Sequence, residues 1–145
     1  VFFNATEIPN AVSSRGGVSR LISISVLNKD DAAHDFDLIF MQVSTDLGTI
    51  NGAVGSGSLW TNVLASSAKV IGCLKIDSSD EQTDLVNNLL ITTSSHSEAV
   101  RPELPILLQA EGGSTSVYVA AVSRGGTPTC AADDYELIFN IEYLG

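Results

Sequence analysis

VSRLISISVL, residues 18–27, is the stretch that decides the fold class, because its side chains alternate in type along the chain. Ile22, Ile24 and Val26 fall on one side of an extended backbone, with two serines and a leucine opposite them. A period of two residues is typical of a β-strand that has one face in a core and the other face nearer to solvent. The stretch therefore predicts a strand with a dry face and a mostly polar face.

A second alternating stretch, HDFDLIFMQV at residues 34–43, follows the polar turn at residues 28–31. It places Phe36, Leu38 and Phe40 on one side of a strand. Because a short polar turn joins the two stretches, we expect them to form an antiparallel pair.

The rest of the chain continues this pattern, and helical periodicity is nearly absent. Residues 48–57 are rich in Gly, Ser and Asn and read as a connection, and residues 58–65 are the one candidate helical turn. Further strands are predicted near Phe2 and at residues 69–76, 85–93, 104–110, 116–123 and 135–143.

About eight short strands predict an all-β fold, namely a two-sheet antiparallel sandwich that spans residues 1–145 as one domain. An eight-stranded jelly roll is the favoured topology, and a plain immunoglobulin-like sandwich is the alternative. Residues 1–17 are expected to form either an arm or the first strand.

Charge limits the partners that this chain can have. Seven Lys and Arg against 17 Asp and Glu give 145 residues a formal net charge of −10. Such a surface repels a phosphate backbone and an anionic lipid surface, so neither nucleic acid nor membrane is expected as a partner. Apolar runs also stay shorter than the roughly 18 residues of a membrane-spanning helix. Solubility is the simplest role of the excess acidity.

Catalytic groups are scarce, which argues against an enzyme. The only histidines are His34 and His96, both in polar surroundings and neither near a Gly-x-Ser-x-Gly elbow. We interpret both as solvated loop residues. A hydrolase that uses one of them as its base is the enzyme alternative, and the absence of activity is the prediction.

Metal and cofactor sites are also not expected. One turn is crowded with carboxylates, but their spacing lacks the pattern of a calcium loop, so a solvated acidic turn is predicted: Asp77, Asp80, Glu81 and Asp84. Cys73 and Cys130 do not form a Cys-x-x-Cys pair. We expect both to be reduced thiols within the core.

Four residues are candidates for contact with another subunit. The tetrapeptide Ser-Arg-Gly-Gly occurs at residues 14–17 and 123–126, and its Arg15 and Arg124 could hold a partner's carboxylate. In the alternative interpretation, glycine supplies a positive φ in a turn and arginine keeps the turn soluble. The other two candidates are Trp60 and Arg101, the latter in a Pro-containing segment suited to an arm.

Three stretches together resemble small structural proteins encoded among the virion genes of tailed phages, including capsid decoration or cement proteins. They are IPNAV at residues 8–12, VLNKDD with FDLIF at residues 26–31 and 36–40, and SVYVAAVSRGGTPT at residues 116–129. The resemblance covers most of the chain and consists of strand and turn patterns.

This resemblance implies a β-sandwich or jelly-roll module on the capsid surface of a bacteriophage virion. Its partners would be the major capsid protein, whose joints it covers, and copies of itself, as a trimer or hexamer. The alternative is a receptor- or carbohydrate-binding module of a phage tail or fibre, which is suggested by four aromatic residues: Trp60, Tyr118, Tyr135 and Tyr143.

Overall fold

Eight β-strands run through the part of the chain that the computed structural model describes, which is residues 1–29, 32–54, 67–80, 89–94, 104–131 and 133–145. They are β1 (Phe3–Ile8), β2 (Val18–Asn28), β3 (Phe36–Met41), β4 (Val70–Ile76), β5 (Leu89–Ser94), β6 (Ile106–Gln109), β7 (Val117–Ser123) and β8 (Tyr135–Tyr143). The predicted all-β class and the opening strand are confirmed. The predicted helical turn at residues 58–65 lies outside the described residues.

The strands form two antiparallel sheets, as the sequence predicts. The first sheet has the order β1-β7-β3-β4. In the second sheet β2 is central, with β8 along one edge and β5 and β6 end to end along the other, so this sheet is only three strands wide. One cluster of buried apolar side chains, drawn from both sheets, fills the space between them.

The predicted antiparallel pairing of β2 with β3 is wrong, because the two strands lie in different sheets. β2 pairs with β8 over the registers Ser19↔Tyr143 to Asn28↔Tyr135, and β3 pairs with β4 and β7. Both strands carry one strongly apolar face, and placing them in opposing sheets buries both faces in one core. The chain therefore passes from one sheet to the other between the end of β2 and the start of β3.

A β-bulge near the middle of β2 corrects the predicted alternation. The register with β8 shifts between Leu21 and Ser23, so the buried positions change phase there. Ile24 and Val26 are 0% and 1% exposed, as predicted, but Ile22 is only half-buried and does not belong to the core. Leu21, on the other side of the bulge, takes the core position instead.

β3 has buried side chains on both of its faces. Phe36, Leu38 and Phe40 reach the main core, as predicted. On the opposite face, Met41 belongs to a second buried cluster with Val1, Leu47, Ala68 and Ala120. Segments that precede β1 and follow β3 therefore cover the outer side of the first sheet.

The cysteines depart in part from their predicted positions. Neither forms a disulfide bond, in agreement with the predicted reduced thiols. Cys130 is half-buried against the main core, whereas Cys73 is exposed on β4 and its predicted core position is wrong. Cys73 alternates with the buried Leu74 along the strand and therefore faces outward.

Candidate interaction surface

Arg124 lies directly after β7 and is bound within its own chain. Its guanidinium donates to Asp37 Oδ1 at 2.7 Å and to the Ile76 carbonyl at 2.9 Å, and it forms an ion pair with Asp77. Its backbone N–H donates to the Asp35 carbonyl at 3.0 Å. The guanidinium predicted to hold a partner's carboxylate is thus already neutralised by two carboxylates of this chain.

Asp35 adds a further carboxylate to the same end of the first sheet. Its Oδ1 accepts a hydrogen bond from the Ser78 backbone N–H at 2.7 Å. Hydrogen bonds from the backbone and the hydroxyl of Ser78 lower the pKa of Asp35 below its ordinary value, and the positive charge of Arg124 lowers it further. These charges join neighbouring strands and connections of one sheet.

The two Ser-Arg-Gly-Gly turns lie at opposite ends of the first sheet. Ile8 pairs with Val117 at the start of β7, so the turn after β1 is at that end, whereas Arg124 follows the end of β7. Glycine does supply a positive φ in each turn, at Gly16 (68°) and at Gly126 (66°). The third residue of the motif adopts it in one turn and the fourth in the other, so the turns are not equivalent.

The structure describes two of the four predicted contact residues, Arg15 and Arg124, and it does not bring these two together. Arg15 is exposed in its turn, distant along the sheet from Arg124. Trp60 and Arg101 lie outside the described residues.

Of the two histidines, only His34 lies within the described part of the chain. His34 is half-buried, and its ring lies 6.2 Å from the rings of Phe2 and Tyr135, so its predicted solvated position is wrong. It packs into an aromatic cluster because β3 begins two residues later at the core residue Phe36. His96 lies outside the described residues.

An apolar cleft lies between the edges of the two sheets. β1 ends the first sheet and β8 ends the second, and a cavity of about 650 Å³ opens between them. Most of the side chains that line it are apolar, including Phe3, Ile8, Val119, Leu137 and Phe139. We call this cavity the edge cleft.

The edge cleft exists because the sheets approach closely only on the other side of the molecule. There β4 faces β6, and a Cβ atom built on Gly72 would lie 3.2 Å from Cγ2 of Ile106. On the open side, the inward-facing side chains of β8 remain only half-buried: Tyr135, Leu137, Phe139 and Ile141. Their apolar surface is incompletely covered by the described residues.

Contacts between β8 and the residues flanking β1 mark both ends of the edge cleft. At one end the Phe2 and Tyr135 rings meet edge to face, 5.1 Å apart. At the other end the Tyr143 hydroxyl donates to the Asn10 carbonyl at 2.7 Å. β1 and β8 therefore run in the same direction along the two sides of the opening.

The charged residues among those that line the edge cleft are acidic. Glu7 and Asp133 are both exposed, and none of the described lining residues is Lys or Arg. The Glu7 carboxylate is fixed in place because it accepts a hydrogen bond from the Ser116 hydroxyl at 2.6 Å. The cleft thus combines an apolar wall with a negative rim.

Sequence reasoning missed the edge cleft. The alternation of Tyr135, Leu137, Phe139 and Ile141 with polar residues was a usable signal for an apolar face on β8. Whether such a face is fully covered depends on which strands end each sheet, and that order is set by pairing between distant segments.

Comparisons with known proteins do not assign this chain to a family. No model of a protein family matches the chain, and no similar chain was found among curated proteins or solved structures. Among the described residues, no helix is long and apolar enough to cross a membrane. The same residues contain no group of three or more His, Cys, Asp or Glu side chains that could hold a metal ion.

Proposed function

We propose that this chain is a structural protein of a tailed-phage virion that acts without turnover, as a capsid decoration or cement protein. In this role it bridges major capsid subunits on the outer surface of the shell and contacts copies of itself. The resemblance of residues 8–12, 26–31, 36–40 and 116–129 to such proteins supports the virion location. An eight-stranded jelly roll remains the predicted connectivity, and the proposal does not depend on it.

The edge cleft is the observation that carries a binding role. A stable module leaves few large apolar side chains half-covered in a concave site unless a partner covers them. Here the inner row of β8 and the facing residues of β1 form such a site. A contact of modest area is sufficient, because the symmetry of a shell repeats it over many copies.

Binding to shells that lack the protein tests the proposal. The purified protein is mixed with such shells, the shells are pelleted, and both the bound protein and the temperature of shell disruption are measured. We expect saturable co-sedimentation and a raised disruption temperature. A heat-unfolded sample of the same protein is the control. A folded protein that stays in the supernatant at all concentrations would rule out the cement role.

One observation favours a second function, a carbohydrate-binding module of a tail or fibre. Tyr143 is 52% exposed, and its ring is held by the hydrogen bond from its hydroxyl to the Asn10 carbonyl. An exposed aromatic ring in a fixed orientation can stack on a sugar. A glycan array that shows binding by the native protein, and none by Tyr143→Ala, would support this function over the first.

A further inference from the structure

β1 and β8 are the edge strands of their sheets beside the edge cleft, and an edge strand can accept another strand. Within the described residues, β1 pairs only with β7 and β8 pairs only with β2. Each strand therefore presents a second backbone edge toward the opening between them. An extended peptide adds to such an edge through main-chain hydrogen bonds, and its alternate side chains enter the adjoining pocket.

The apolar side chains of the edge cleft determine which residue types a bound segment should carry at every second position. Leu137 and Phe139 point between the sheets and pack against the main core, but both side chains stay half-buried where they line the edge cleft. A strand laid along the cleft would direct every second side chain against this wall. Those side chains should be apolar, because they replace water over an apolar surface.

The rim specifies the charge of the occupant. Glu7 and Asp133 are the charged side chains among the described lining residues, and the whole chain carries a formal net charge of −10. A segment that bears Lys or Arg is attracted to this rim. A second copy of the same acidic chain is repelled by it.

We propose that the edge cleft binds an extended, basic segment of a partner protein, with apolar side chains at alternate positions and Lys or Arg between or beside them. This inference rests on the proposed function, for which it names the contact site and the chemistry of the partner segment. Strand addition supplies the affinity, and the acidic rim selects the basic segment.

A synthetic peptide tests the inference directly. The probe is a fluorescently labelled Lys-Val-Thr-Val-Lys-Val-Thr-Val-Lys, which matches the nine residues of β8 in length. The control probe has Glu in place of each Lys and keeps the same apolar face. Fluorescence anisotropy at low salt should show saturable binding of the Lys peptide and none of the Glu peptide.

Two variants of the full chain remove the rim charge without changing local geometry. In Glu7→Gln the side-chain oxygen can still accept the hydrogen bond from the Ser116 hydroxyl. In Asp133→Asn the new residue tolerates the positive φ of 69° at that position. Thermal unfolding should therefore match the native protein, while the Kd for the Lys peptide rises roughly tenfold in the double variant.

Glu111→Gln is the matched control for charge. This variant also removes one carboxylate, but on the closed side of the molecule. There Glu111, which follows β6, forms an ion pair with Lys69, which precedes β4. Its Kd for the Lys peptide should stay within about twofold of the native value, since the site is distant and screened.

Three outcomes would overturn the inference. The first is that the Lys peptide does not bind, and the second is that it binds the double variant and the native protein with equal affinity. The third is self-association of the protein, detected by light scattering and reversed by the Lys peptide. That result would identify a second copy of the chain as the occupant. Shell binding that the double variant retains would leave the proposed function standing and remove this contact site. Binding of the Lys peptide without binding to shells would leave the contact site standing and remove the proposed function.

Discussion

The guanidinium of Arg124 lies among groups of its own chain that come from separate parts of the first sheet. Asp37 belongs to β3, Ile76 ends β4 and Asp77 follows it, while Arg124 itself follows β7. Its side chain is only 25% exposed. One planar cation with several donors can satisfy all of these acceptors at once, which a lysine could not do with the same geometry.

Replacing Arg124 should therefore weaken the fold. We expect Arg124→Ala to lower the free energy of unfolding by about 1–2 kcal/mol, because Asp37 and Asp77 lose the guanidinium that pairs with both of them. Arg15→Ala is the matched control, since Arg15 occupies the same motif in an exposed turn. Urea unfolding of both variants checks the prediction, and equal stabilities would contradict it.

β8 contributes both to the core of the fold and to the lining of the edge cleft. Its inward residues alternate with exposed ones, and Phe139 packs edge to face on Phe40 with ring centroids 6.0 Å apart. Ile138 points the other way and is 51% exposed. The inward-facing side chains of β8 therefore contribute more to the free energy of unfolding than the outward-facing ones.

Neighbouring substitutions on β8 should show this difference. We expect Phe139→Ala to cost about 2 kcal/mol of unfolding free energy, less than for a fully buried Phe because the side chain is only half-covered. Ile138→Ala should change the stability by less than about 0.5 kcal/mol. The measurement is the midpoint of urea denaturation, and an equal loss in both variants would show that the faces are misassigned.

The positions of the strands were predictable from the sequence, but their partners were not. Alternation is a local property, and it located β3, β7 and β8 well. Pairing is non-local: β2 joins β8 more than a hundred residues later, and no local signal opposes the simpler hairpin with β3. The bulge after Leu21 was equally unpredictable, since one extra residue does not change the strand-like composition of the segment as a whole.

The candidate site was less predictable than the fold. The residue type and motif of Arg124 predict a contact residue, yet its carboxylate partners Asp37 and Asp77 come from distant parts of the chain, which the spacing of residues does not reveal. The edge cleft depends on where two sheets separate, which follows from the strand order and from the close approach at Gly72. No sequence motif indicates the strand order or this close approach.

For the molecule as a whole, acid should remove part of the stability. The pKa of Asp35 lies below its ordinary value of 3.8 because the ionised carboxylate accepts hydrogen bonds from Ser78. A lowered folded-state pKa contributes stability that is fully present above the unfolded pKa of about 3.9 and is lost as the pH falls through the folded value. Asp35→Asn removes this contribution.

We therefore expect Asp35→Asn to be less stable than the native protein at pH 7 and to approach it in stability as the pH falls below about 4. Urea denaturation at several pH values measures the difference. A gap between the two proteins that stays constant down to about pH 2 would show that the effect is steric and not electrostatic.

The strand order also fixes when the protein can fold. β1 pairs only with β7 among the described residues, and the full length of β2 is matched only by β8. During synthesis, both early strands must therefore wait until residues 117–143 have left the ribosome before either sheet can be completed. Until then their apolar faces are exposed to other nascent chains, and the excess of acidic side chains in the sequence already acts to keep those chains apart.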